Sequence, residues 1–211
     1  GSRWNMDECD SHTIFVSQGY YPIKGLHYML EALGDIRKFY PDARLRVAGG
    51  VSLNNAGLKN RLKQKNYQRY LAELIEKYSL AGCVEFLPPL KADEMKKMYL
   101  KSNVFVSPSS IENSPNSLGE AMMLGVPCVS SLVGGVGNML INGAEGFTYQ
   151  HDAPYMLAYY VMEIFRLQKE NRQQLADMTD MAHSHAMSLF DSEKNAANML
   201  EIYSGIERIK R

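Results

Sequence analysis

Glu112 and Glu120 stand on either side of the run Asn113-Ser114-Pro115-Asn116-Ser117-Leu118-Gly119. Carboxylates suit sugar hydroxyls, because each can accept several charge-assisted hydrogen bonds. Just before the run, Val104-Phe105-Val106-Ser107-Pro108 reads as a strand, and residues 118–124 read as a helix. One acid therefore lies in a loop and the other about a turn and a half into a helix. Ser114 followed by Pro115 suits an N-cap and first-turn pair. The first turn of such a helix has unpaired N–H groups and the positive end of the dipole, which suit a phosphate. Phosphate in the middle with hydroxyls at both ends is the outline of a nucleotide-sugar.

The elements that must position these residues alternate along the chain. Residues 12–17 are an apolar run of strand type. Residues 25–40 are helical, with Leu26, Leu30, Leu33 and Ile36 at helix spacing, and Pro41 ends them. A second strand spans 43–48 and closes on Gly49-Gly50; a polar stretch and a long helix to about Leu80 follow. Strands are expected at 84–87 (stopped by Pro88-Pro89), 103–107, 127–131 and 146–149, with a short helix at 93–100. From Pro154 onward the pattern is helical, broken near Asn171 and Asp191. This alternation predicts an α/β fold, a Rossmann-like parallel sheet with helices on both faces. Ligands in such sheets bind outside the carboxyl ends of the strands. We read residues 1–11 as a linker or an edge rather than a core element, with Gly1-Ser2 a cloning remnant, and 12–192 as the ligand-binding domain. Residues 193–211 read as a C-terminal helix that packs back on it.

Composition excludes several classes. Twenty-three basic and 23 acidic residues give a net charge of zero, so no general attraction to nucleic acid is expected. Cys9, Cys83 and Cys128 lack metal or redox spacing and fit a reducing, cytoplasmic setting. No apolar run approaches the ~20 residues that span a bilayer. No signal peptide opens the chain, which reads as beginning mid-protein. His183-x-His185 on a late helix would not share a face, so no metal site is expected. No Gly-x-Gly-x-x-Gly follows the first strand, which disfavours a dinucleotide dehydrogenase.

Several stretches together carry a family resemblance. They are the run from Gly19 to Lys24-Gly25, the two glutamates with Ala121-Met122 and Gly125-Val126-Pro127, and Val133-Gly134-Gly135-Val136. They resemble the carboxyl-terminal half of retaining glycosyltransferases of the GT-B fold, the large group 1 family, over roughly residues 12–205. The resemblance implies one GT-B half that binds a UDP- or GDP-linked sugar, with no cofactor. The acceptor, a sugar or lipid-linked glycan, would be held by an absent amino-terminal domain. The isolated half would then be inactive, and the whole protein could associate peripherally with a membrane. An apolar patch facing the absent domain would be exposed on the last helices. A GT-B-fold sugar-nucleotide epimerase and a non-catalytic nucleotide-binding or interaction module are the alternatives.

Roles follow from the same resemblance. Glu120 would hold the ribose hydroxyls, and Glu112 would contact the donor sugar or stabilise charge at its anomeric carbon. The backbone amides of Asn116, Ser117 and Leu118 would meet the sugar hydroxyls or the distal phosphate. Lys24 would stabilise negative charge growing on the departing diphosphate. Gly19, Gly134 and Gly135 would let backbone approach the donor, and 87–90 would recognise the base. Tyr20 stands where the family pattern has an arginine. Either Lys24 with helix amides meets the phosphates alone, or another cation enters from elsewhere. No Asp-x-Asp occurs, which with Lys24 suggests metal-independent departure of the nucleotide.

Overall fold

A computed structural model describes residues 2–50 and 66–209. Among them are six strands: β1 (Thr13–Val16), β2 (Arg44–Val47), β3 (Val84–Phe86), β4 (Val104–Ser107), β5 (Cys128–Ser131) and β6 (Phe147–Tyr149). They form one sheet in the order β3-β2-β1-β4-β5-β6, and every pairing is parallel. β1, β4 and β5 are buried along their whole length, because helices cover both faces of the sheet.

The helices among the described residues are α1 (Leu26–Ile36), α2 (Asn66–Lys77), α3 (Ala92–Lys101), α4 (Asn116–Met123), α5 (Val136–Met139), α6 (Pro154–Glu170), α7 (Arg172–Leu189) and α8 (Ser192–Ile209). α1 packs between α2 and α6, while α4 packs against α7. On the inner side of α1, Leu26, Met29, Leu30, Leu33 and Ile36 are buried, each stabilising by about 1.5–3 kcal/mol. On α3, Tyr99 lays its ring edge-on to Phe15 of β1 and Phe105 of β4, at 5.2 and 5.3 Å. Side chains alternate along a strand, so Ile14 and Val16 face the opposite layer. The sheet is therefore Rossmann-like and covered on both sides.

All six expected strands form within a residue or two of their expected bounds. The helix expected over 25–40 is shorter; a turn in which the Tyr40 N–H donates to Ile36 O completes it. The part of the expected helix that precedes Asn66 lies outside the described residues. Both late breaks carry caps. The Asn171 side chain accepts from the Gln174 N–H, and Asp191 Oδ1 accepts from the N–H groups of Glu193 and Lys194.

Two expectations fail at the chain ends. Residues 1–11 are not a loose linker. Trp4 is buried in the core and its indole N–H donates to Ser102 O at 2.8 Å, while its own backbone N–H donates to Leu124 O. Arg172 reaches Asp7, and Gln168 donates to Met6 O, so the segment is fastened to α6 and α7. A large ring with one polar edge needs both burial and an acceptor, and Ser102 O supplies the second. At the other end, α8 does not lie back on the domain, for every residue from 192 to 204 is exposed. Its apolar residues Met199, Ile202, Tyr203 and Ile206 follow helical spacing but make an exposed stripe. Phe190, just before α8, packs against Gly119 of α4.

The order of strands reverses between β1 and β4, which lie side by side at the centre. Chains leave their carboxyl ends toward different layers, opening a crevice where ligands bind in sheets of this type. The loops after β1 and β4 carry Lys24 and Glu112.

Candidate functional site

The two loops are fastened backbone to backbone. After β1, a turn at Pro22–Lys24 ends on Gly25, whose φ of 69° is left-handed. A Cβ on Gly25 would stand 1.7 Å from the carbonyl oxygen of Pro108. The Ser110 N–H donates to Ile23 O at 2.8 Å across the same contact. This brings Lys24 Nζ to 2.5 Å from Glu112 Oε1, and Ser109 Oγ donates to that same oxygen at 2.7 Å. Neither member of the ion pair is more than a quarter exposed (24% and 14%), so solvent screens it less than a surface pair. Ser131, at the end of β5, donates to Ser109 O and holds the loop from behind. Ser17, Gln18, Lys24, Ser109, Glu112 and Ser117 line the narrow cleft that results.

Gly134 and Gly135 lie against this loop. Gly134 is left-handed (φ 52°), and a Cβ there would come within 1.6 Å of Glu112 O. The Gly135 N–H donates to Asn113 O at 2.7 Å. The close approach these glycines permit is therefore to the backbone that carries Glu112.

α4 starts one residue later than its expected cap. Pro115 is the N-cap and has no side-chain oxygen to offer, while Ser114 Oγ faces Met139 Sδ at 3.6 Å. Ser114 is thus not the cap. Of the three amides assigned to ligand contact, that of Leu118 already donates to Pro115 O at 3.0 Å, and the Leu118 side chain is buried. The capping residue's carbonyl takes the first intrahelical bond, so Leu118 drops out of the donor set. The N–H groups of Asn116 and Ser117 have no partner among the described residues, which leaves them for an anion at the positive end of the helix.

Glu120 is exposed on the next turn, beside a separate cavity of about 470 Å³ between α3 and α4. Leu90, Ala92, Met95, Lys96, Tyr99, Met123 and Leu124 line the rest of it. The Tyr99 hydroxyl lies 3.0 Å from Glu120 Oε2 and 3.1 Å from Ser117 O. Burial, and then the neighbouring Glu120 charge, raise the Tyr99 hydroxyl's pKa well above the ordinary phenol value. Glu112 and Glu120 therefore do not share a pocket; they flank the first turn of α4, one on each side.

Tyr99 and Ser109, which hydrogen-bond the two glutamates, were not singled out by residue spacing. Met95 and Tyr99 are four apart on a short helix, which marks a shared face but not a polar role. Gly19 sits in the loop after β1, yet it is buried, and a Cβ on it would be 2.5 Å from Leu26 Cδ2 and 2.8 Å from Val47 Cγ1. Its smallness serves that packing. Leu90 is the residue of 87–90 that reaches the Glu120 cavity. Tyr20, in the family's arginine position, is half-buried with its ring 5.0 Å from Tyr21. His183 and His185 face different partners: His183 Nδ1 contacts Met123 O and His185 Nδ1 contacts buried Glu145, at 2.7 and 2.9 Å. They pin α7 to neighbouring elements.

The family model described as "Glycosyl transferases group 1" matches residues 5–179. The chain belongs to the group 1 glycosyl transferases. Among curated relatives of this glycosyl transferase chain, D-inositol 3-phosphate glycosyltransferase of Corynebacterium urealyticum is 27% identical over 186 residues, 87% of this chain and 41% of that protein. The enzyme of the same name from Paenarthrobacter aurescens is 29% identical, over 92% of this chain and 44% of that protein. The chain thus spans less than half the length of either. Sucrose-phosphate synthase from Thermosynechococcus elongatus shares the fold at TM-score 0.76 and 21% identity, covering 97% of this chain and 47% of that one. Anabaena HepE, solved in complex with UDP-glucose, matches at TM-score 0.73 and 21% identity, over 93% and 49%. No helix of the described residues is long and apolar enough to cross a membrane.

Proposed function

We propose that this chain is the donor-binding half of a retaining glycosyltransferase, which takes its sugar from a nucleotide-diphosphate-sugar. The observation that carries the reading is the place of α4. Its first turn, with two unpaired N–H groups, lies between a cleft holding Lys24 and Glu112 and a wider cavity bordered by Glu120. A diphosphate at that turn would set the nucleoside toward Glu120 and the sugar toward Glu112. The ribose hydroxyls meet the Glu120 carboxylate, and the base enters the mostly apolar cavity beside Leu90 and Met95.

The chemistry follows from charge. As the bond from the anomeric carbon to the diphosphate oxygen lengthens, negative charge collects on the phosphate and positive charge on the sugar. The Lys24 ammonium and the Asn116 and Ser117 amides meet the first; the Glu112 carboxylate is near the second. Their mutual contact at 2.5 Å holds both side chains beside the α4 turn before a ligand arrives. The acceptor and the closure that excludes water come from a second domain. That the known structures of similar fold include one bound to UDP-glucose supports the donor class.

Titration of the chain with UDP, GDP, ADP and their sugars tests the reading. One nucleotide should bind, and Glu120→Ala and Lys24→Ala should each weaken it. No binding by the unaltered chain, or no effect of either substitution, overturns the proposal.

A further inference from the structure

Tyr99 is the largest fully buried side chain whose polar atom is spent on the site rather than on the fold. Its ring is set by Phe15 and Phe105 in the buried central strands of the sheet. Its hydroxyl has one proton and two acceptors at almost equal distance, Glu120 Oε2 at 3.0 Å and Ser117 O at 3.1 Å. Glu120 is otherwise exposed, and no other donor reaches its carboxylate among the described residues. A free glutamate on a helix surface samples several rotamers, each of which must be abandoned on binding. One fixed hydroxyl restricts that set.

We infer that Tyr99 is a positioning residue: it orients the Glu120 carboxylate for the ribose hydroxyls of the donor. The inference rests on the donor-site reading above. Tyr99 binds one carboxylate oxygen, Oε2, and leaves Oε1 for the ligand. Through Ser117 O, the same hydroxyl touches the residue whose N–H faces the diphosphate.

The test substitutes Tyr99→Phe, which keeps the ring packing and removes only the hydroxyl. The 211-residue chain is titrated with UDP and GDP, and with the 2′,3′-dideoxy form of each. Y99F should weaken the binding nucleotide roughly three- to tenfold, the range of one lost hydrogen bond. It should leave the dideoxy form unchanged, because that ligand has no hydroxyls for Glu120 to meet. In an E120A background the further Y99F change should be silent. A thermal melt of Y99F separates a fold defect from a lost orientation, since a fold defect would weaken both ligand forms alike. Equal weakening of both forms, or an undiminished effect of Y99F in the E120A background, overturns the positioning role while the donor site stands. If the unaltered chain binds neither UDP nor GDP nor ADP, the donor-site reading falls and this role falls with it.

Discussion

The two sides of α4 are built by different physics. On the Lys24 side, backbone meets backbone: Gly25 lies against Pro108, and Gly134 against Glu112, at distances no side chain tolerates. The ion pair there is the product of a rigid frame, and its geometry has little freedom. On the Glu120 side, an exposed carboxylate beside a roomy cavity is oriented by one tyrosine hydroxyl. The contrast matches the proposed chemistry. The bond-breaking end needs groups held within fractions of an ångström, whereas the nucleoside end needs affinity and can accept adjustment.

Substitutions can break or sharpen that contrast. The largest effect is expected at the frame. Gly25→Ala and Gly134→Ala each combine a left-handed φ with a clash against a carbonyl oxygen. Each should cost about 3 kcal/mol or more of stability and abolish nucleotide binding, read by chemical denaturation and titration. A variant as stable as the parent would show that the two loops can part, and the contrast would collapse. Next comes Lys24→Ala, which removes the cation and leaves Glu112 without its partner. Binding of the nucleoside diphosphate should fall by about one to two orders of magnitude, while binding of the bare nucleoside should not, as calorimetry can show. Lys24→Ala with Glu112→Gln should fold better than Lys24→Ala alone, because the half-buried charge is removed along with its partner.

Smaller effects belong to the open side. Glu120→Gln keeps the shape and loses the charge, and should weaken nucleotide binding by about tenfold with no change in the melting temperature. Smallest of all is Met95→Ala in the cavity wall. Met95 is only partly buried, so affinity should change by about threefold or less. Were Met95→Ala to rival Lys24→Ala, the apolar cavity and not the ionic cleft would dominate recognition.

Much of the fold could be read from the residues. Strand runs bounded by Gly and Pro, and the four-residue spacing of Leu26 and Leu30, depend on neighbours in the chain, so their pattern is local. The two breaks in the late helices were visible as Asn171 and Asp191 because caps are local as well. What failed had a long-range cause. Trp4 looked like part of a linker because its acceptor, Ser102 O, is 98 positions away. α8 carries a regular apolar stripe, and no periodicity says whether a surface exists to receive it.

The site divides along the same line. Types and spacing marked two acids around a helix start, a lysine after the first strand and a parallel α/β sheet; the family was a resemblance of their motifs, and the family model over residues 5–179 established it. Tertiary structure decided which of those groups meet: that Lys24 contacts Glu112, that Glu120 faces another cavity, and that Leu118 spends its amide inside the helix. It also brought in Tyr99 and Ser109. A hydrogen bond between distant segments depends on how layers stack and where loops close, and a linear pattern carries no record of either.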